Sequence, residues 1–183
     1  MPGIREKGIL TQIGQTDRTL LKIGLIADTQ DNIENIEKSI KIFKESRANM
    51  VIHAGDYSSP EAIQFFRGMK LIGVFGNNDF DRSGIRDAFS DIGGQVRGDL
   101  YEIEIDDLIF AVYHGTQQER RDLLIRSGKY DVVVFGHTHR TLNSKVGRTL
   151  VLNPGTAKGW FFGYKATVGI FDTLTKAVHF IGL

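Results

Sequence analysis

Leu21-Lys-Ile-Gly-Leu-Ile-Ala27 is a short apolar run that stops at Asp28-Thr29-Gln30. A run of that length, cut off by polar residues, reads as a buried strand. The period then changes. Ile33, Ile36, Ile40 and Phe43 recur at three- and four-residue spacing, which is one face of a helix. The same alternation repeats: Met50-Val-Ile-His53 reads as a strand, and Pro60–Phe66 as a short helix opened by proline. Leu71-Ile-Gly-Val-Phe75 gives a third strand, with a helix expected over 84–92. Strands separated by helices pair in parallel, which makes this an α/β protein.

Further along, hairpins dominate. Tyr101–Ile105 and Leu108–Tyr113 flank a turn at Asp106-Asp107, and a helix is expected over 117–127. Val132-Val-Val-Phe135 reads as a strand covered on both faces. Thr141–Val146 pairs with Thr149–Leu152 around Gly147-Arg148, and Ala166–Phe171 with Ala177–Ile181 around Thr173–Lys176. About ten strands and four helices result, and two packed sheets with helices outside would bury their apolar faces best. Residues 1–20, with Gly3, Gly8 and Gly14, are weakly patterned and read as an extension that could add an edge strand through Ile9–Ile13. Residues 21–183 read as one domain.

Composition narrows the chemistry. The 183 residues are 41% apolar, enough for a real core, and include no cysteine. Disulfides, thiolate metal centres and thiol nucleophiles are therefore excluded, and a reducing, cytoplasmic setting is expected. Lys and Arg total 23 against 22 Asp and Glu, so no global field recruits nucleic acid or an anionic membrane. No apolar run is long enough to span a bilayer, and the N-terminus lacks the continuous apolar segment of a secretory signal.

The strand ends carry the functional signal. The first strand delivers Asp28, the second Asp56 in His53-Ala-Gly55-Asp56, and the third Asn77 in Gly76-Asn77-Asn78-Asp79. Two later strands end in His114-Gly115 and in Gly136-His137-Thr138-His139. Carboxyl ends of parallel strands share one edge, where ligand crevices form. Each residue taken singly has a plainer reading as a turn, a cap or a hydrogen-bonded side chain. Five strand ends together do not. Carboxylate, amide and imidazole donors in this mixture suit borderline divalent metals. Six or seven such donors exceed one tetrahedral ion and would serve two ions sharing a carboxylate. His53 is expected to orient ligands or to be a buried structural histidine, and His179 to play no part. Asp79-Phe-Asp81-Arg-Ser83-Gly84 mimics the start of an EF-hand loop, but Ser90 stands where that loop needs Glu. There is no P-loop or dinucleotide-binding glycine motif.

With these blocks in order, the sequence resembles the calcineurin-like metallophosphoesterases, specifically the small single-domain branch that includes archaeal and bacterial phosphodiesterases and a eukaryotic retromer subunit. The family pattern D-x-H, G-D, G-N-x-D/H, H and G-H-x-H is matched by Asp28-Thr-Gln30, Gly55-Asp56, Gly76-Asn77-Asn78-Asp79, His114 and Gly136-His137-Thr-His139, and Asn153-Pro-Gly-Thr156 resembles the N-P-G-S that follows. The resemblance implies a four-layer α/β/β/α sandwich of two mixed sheets flanked by helices. It implies two divalent ions, manganese first, with zinc, nickel, iron or cobalt as alternatives. One ion would take Asp28, Gln30, Asp56 and His139. The other would take Asp56, Asn77, His114 and His137, with Asp56 bridging. Asp56, Asn77 and His114 are also the expected catalytic residues, acting with a metal-bridging hydroxide on a small phosphate ester, a nucleotide-like one among the candidates.

Three positions depart from the family. Gln30 replaces the D-x-H histidine, a weaker donor that predicts a weaker first site. Asn78 and Thr116 stand where relatives carry imidazoles that can help a leaving group depart, so activated diesters are the expected substrates. The competing reading is a catalytically weak scaffold for protein interactions or self-association, with Trp160-Phe161-Phe162 as its aromatic anchor.

Overall fold

A computed structural model describes residues 21–159, 163 and 165–183. The expected edge strand at Ile9–Ile13 and the Trp160-Phe161-Phe162 stretch lie outside the described residues. The first apolar run forms β1 (Lys22–Ile26), followed by α1 (Ile33–Glu45), β2 (Met50–His53), α2 (Pro60–Gln64), β3 (Leu71–Gly73) and α3 (Arg82–Asp91). Then come β4 (Gln95–Val96), β5 (Leu100–Ile105), β6 (Leu108–Tyr113), α4 (Gln118–Arg126) and β7 (Val132–Val134). The chain closes with β8 (Thr141–Val146), β9 (Thr149–Pro154), β10 (Thr167–Asp172) and β11 (Val178–Gly182).

Two mixed sheets result, in the orders β11-β10-β1-β2-β3-β4 and β5-β6-β7-β9-β8. β1, β2, β3 and β4 run parallel, as do β6, β7 and β9. The hairpin strands add antiparallel edges. The two-residue β4 goes unread in the sequence because its partner positions, Gln95 and Val96, are too few to show a period.

Alternation along each strand builds the layers. Ile23 and Leu25 of β1 with Ala27 just after it, and Met50 and Ile52 of β2 with Ala54 just after it, meet Phe110 and Val112 of β6 and Val132 and Val134 of β7 between the sheets. On the outer face of the six-stranded sheet, Ile26 and Val51 pack under Ile36, Ile40 and Phe43 of α1 and the buried faces of α2 and α3. Asn32 caps α1, its side chain accepting from Asn35 N at 3.1 Å. The five-stranded sheet carries only α4, whose Leu124 and Ile125 are partly buried against Ala111, Tyr130 and Val133. The order of layers is therefore α/β/β/α, three helices on one side and one on the other. No helix among the described residues is long and apolar enough to cross a membrane.

Candidate active site

The two sheets present the carboxyl ends of their parallel strands at one shared edge. Asp28 follows β1, Asp56 follows β2 and Gly76-Asn77 follows β3, all from the six-stranded sheet. His114 follows β6, and His137 and His139 follow β7, from the five-stranded sheet. Hydrogen bonds cross between the sheets here: His114 Nδ1 meets the Ala54 carbonyl at 2.7 Å, and His137 N–H donates to Asp28 Oδ2 at 3.0 Å.

Backbone conformation sets this edge apart. Asp28, Gln30, Asp56, His137 and His139 all adopt left-handed φ, between 41° and 63°. A single non-glycine residue there costs on the order of 1 kcal/mol or more, and such strain clusters at functional sites. Five of the seven predicted site residues carry it, while Arg47, Asp106, Asp107 and Lys176 adopt it in turns elsewhere.

Asp28, Asp56 and His114 form the centre. They are 0%, 1% and 1% exposed, and one donor atom from each lies within 4.8 Å of the others. His114 Nε2 is 3.5 Å from Asp56 Oδ1 and 3.9 Å from Asp28 Oδ1, and it is a buried polar atom with no hydrogen-bond partner. The Ala54 carbonyl can only accept, so Nδ1 carries a proton, and in the neutral ring Nε2 then presents a lone pair to two carboxylates. Two buried carboxylates facing a lone pair repel, and a divalent cation satisfies all three. The residues therefore fit a metal. The arrangement resembles histidine ligands elsewhere, which fix their tautomer by donating the other nitrogen to a carbonyl.

The remaining predicted residues surround that centre. His139 Nε2 lies 3.2 Å from Asp28 Oδ1, and this hydrogen bond holds its imidazole above the usual histidine pKa. The His137 ring stands edge-on to His114 with centroids 5.2 Å apart. Partial burial, and next the neighbouring His114, push its pKa down. Gln30 Nε2 lies 3.4 Å from Asp56 Oδ2, so its amide nitrogen, not its oxygen, faces the carboxylate. Asn77 is exposed at the rim, where its Oδ1 accepts from Thr116 Oγ1 at 3.3 Å.

Several side chains that hold the centre were not given that role from sequence. Asp79 is the main one. Its Oδ2 accepts from Gly76 N at 2.7 Å and Asp56 N at 2.9 Å, and its Oδ1 from Tyr57 N at 2.7 Å and Ser58 N at 3.1 Å. Burial pushes its pKa up, partly offset by those N–H donors. Asn78 donates to Asp56 twice, from its backbone N at 2.9 Å and from Nδ2 at 2.6 Å, and so orients the carboxylate. Thr156 Oγ1 donates to the Asp28 carbonyl, and Asn153 Nδ2 to the Gly136 carbonyl and Thr138 Oγ1. The signal for these four lay in the blocks Gly76–Asp79 and Asn153–Thr156, where hydrogen-bonding residues flank glycine.

His53 is fully buried and lies beneath the loops. Its Nδ1 accepts from Gly55 N–H at 3.2 Å, so Nε2 donates to Thr29 Oγ1 at 3.1 Å. Burial, with a smaller contribution from His114, drives its pKa well below the usual value. It braces the loops carrying Asp28 and Asp56 through Thr29 and Gly55. His179 sits exposed in the edge strand β11.

Two cavities adjoin the centre. One of about 150 Å³ includes Asn77, Thr116, Arg82 and Arg120, and one of about 290 Å³ includes His139, Arg140 and Lys165. A further cavity of about 700 Å³ between α4 and β8 reaches the ligand loops only at Thr138. The chemistry belongs to the strand edge, where the strained backbone and buried donors are.

A two-sheet α/β sandwich with an acidic, imidazole-lined cluster at its strand edge that could hold a divalent metal defines the class: a phosphoesterase architecture. Residues 21–176 match the calcineurin-like phosphoesterase superfamily domain, and the chain belongs to that superfamily of hydrolases acting on phosphate esters. It is 40% identical over 159 residues to a phosphodiesterase of Methanocaldococcus jannaschii, covering 85% of this chain and 95% of that protein. The solved structure of an archaeal phosphodiesterase superposes with a TM-score of 0.85 at 39% identity, covering 89% of this chain and all of the other. Vacuolar protein sorting 29 of Cryptosporidium parvum shares the fold at 19% identity and a TM-score of 0.67, covering 90% of this chain and 92% of that one.

Proposed function

We propose that this chain is a divalent-metal-dependent phosphodiesterase. The observation that carries the reading is the buried Asp28–Asp56–His114 cluster, with His114 Nε2 left unpartnered between two carboxylates. Asp28, Asp56 and His139, with Gln30 once its amide turns its oxygen inward, would hold one ion and Asp56, Asn77, His114 and His137 the other, with manganese the first candidate. Bound there, two such ions would polarise a phosphoryl oxygen and acidify a water molecule.

The chain's own residues account for the rest. Asp28 and Asp56 would give the centre its two negative charges, fewer than two divalent ions bring, so a phosphate anion is attracted. Asn78 and Asp79 keep the Asp56 carboxylate and its backbone in place. Burial excludes water from Asp28, Asp56 and His114 and would strengthen their electrostatic hold on a cation. Neutral side chains at Asn78 and Thr116 offer no acid for the departing oxygen, which favours esters that leave as stable anions. Cavities meeting the centre at both Asn77 and His139 support two ester arms, and hence a diester. The 40% identity to a phosphodiesterase favours hydrolysis over the scaffold reading.

The test is metal analysis coupled to hydrolysis of bis(p-nitrophenyl) phosphate. The parent should retain a divalent metal and turn over only with it. Asp56→Asn should abolish turnover, and Gln30→His should tighten metal retention. A parent inactive with every divalent ion tried would overturn the reading.

A further inference from the structure

The 150 Å³ cavity on the Asn77 side has a charge pattern that the hydrolytic step does not need. It is smaller than the 300–1,000 Å³ of a typical drug-sized cleft, so it admits one small group and not a ring system. Two arginines enter it. Arg82 lies over the Phe75 ring at 4.9 Å from its centroid, and its charge is answered by Asp99 at 3.0 Å. Arg120, from the first turn of α4, stacks on the Tyr113 ring at 5.1 Å. Among the described residues Arg120 has no acidic side chain within ion-pair distance.

Tyr113 is itself fixed. It is buried at the end of β6, and its hydroxyl accepts from Gln117 N–H at 2.9 Å. A guanidinium held by its face on a pinned ring keeps its N–H edge free, in the planar geometry that grips a phosphate through two parallel bonds. The cavity thus carries one uncompensated, preorganised positive charge. It opens beside Asn77 and Thr116, at the rim of the centre that would hold the reacting phosphate.

We infer that Arg120 is a specificity-determining residue that binds a second phosphate, carried on one ester arm of the substrate. The preferred substrate class is then a phosphodiester whose arm ends in a phosphate monoester. This assignment rests on the phosphodiesterase reading above. In the hydrolysis a bond forms between phosphorus and the oxygen of water while the bond to the other arm's oxygen breaks. The second phosphate stays on its arm throughout.

Two chromogenic diesters test it: ethyl p-nitrophenyl phosphate and its analogue bearing a terminal phosphate on the ethyl arm. Wild-type protein should favour the phosphate-bearing diester in kcat/KM by about 10-fold or more, the worth of a charge-assisted hydrogen bond. Arg120→Gln should lose that preference chiefly through KM, and Arg120→Lys should recover part of it. Arg126→Gln, on the same helix but outside the cavity, should keep it. No preference in the wild type would overturn the assignment, as would a preference that survives Arg120→Gln or is lost in Lys165→Gln instead. If neither diester is hydrolysed, the phosphodiesterase reading falls, and calorimetric binding of the phosphate-bearing diester still decides. Tighter binding to wild type than to Arg120→Gln supports the role of Arg120, and equal binding overturns it.

Discussion

Replacing Gly76 with alanine probes how closely the backbone must approach the Asp56 carboxylate. A Cβ built on Gly76 would lie 2.6 Å from the Asp56 amide nitrogen and closer still to its Oδ1. Side-chain carbons do not tolerate contacts below 3.0 Å, and opening this one to the 3.4 Å of ordinary packing displaces the Asp56 amide by about 0.8 Å and its carboxylate oxygen by more. Neither partner yields easily, because Gly76 N–H and Asp56 N–H both donate to the same buried oxygen of Asp79. Overpacking of this kind costs about 1–3 kcal/mol of stability, which an ordinary domain survives. A catalytic group misplaced by about 1 Å costs about 100-fold in rate. Gly76→Ala should therefore fold, melt a few degrees lower, lose metal on dialysis and hydrolyse bis(p-nitrophenyl) phosphate about 100-fold more slowly. Gly182→Ala is the control, since its Cβ would meet nothing within 4 Å. A Gly76→Ala protein with full metal content and turnover within about 3-fold of the parent would refute the reasoning, because the misplacement would then cost far less than expected.

Two further outcomes follow from the buried groups beneath the site. His53 is held neutral, with a folded pKa well below the unfolded value of 6.5, so the unfolded chain binds the extra proton. Its stabilising contribution is complete above pH 6.5 and is lost as the pH falls below that towards the folded pKa, at up to about 1.4 kcal/mol per pH unit. Urea denaturation of metal-free protein between pH 7 and 5 should show a shallower pH slope for His53→Gln than for the parent, and equal slopes would exclude a neutral buried His53. Asp79→Asn keeps one acceptor oxygen for two of the four N–H groups and turns an NH2 towards the other two. It should cost about 3 kcal/mol in urea denaturation, from lost charge-assisted bonds and stranded donors, and a cost below about 1 kcal/mol would contradict the anchoring role.

Much of the fold was legible because its signals are local. The three- and four-residue spacing of Ile33, Ile36, Ile40 and Phe43 appears as the buried face of α1, and Val132–Val134 as a strand covered on both sides. Two-residue β4 lacked any period, and α4 buries no residue completely, so its position on the five-stranded sheet could be learned only from tertiary packing. At the site, strand-end chemistry named Asp28, Asp56 and His114, because residue type and element position alone suffice to bring them together. Supporting bonds were harder to read. Asp79 looked like part of a false calcium loop, since nothing in a sequence shows that four amides from two loops will converge on one carboxylate. Nor does residue type reveal which atom of Gln30 faces Asp56 or that the Asn77 oxygen is engaged by Thr116.

The donors come from both halves of the sandwich, carboxylates from one sheet and imidazoles from the other. A cation shared among them would therefore work as a latch across the seam as well as a catalyst. Prying the sheets apart at that edge means stripping the ion of its ligands, so occupancy should slow the breathing that exposes the strands there to solvent exchange, by an amount that grows with free metal concentration. In such an architecture the availability of metal would set how long the folded protein lasts as well as how fast it works.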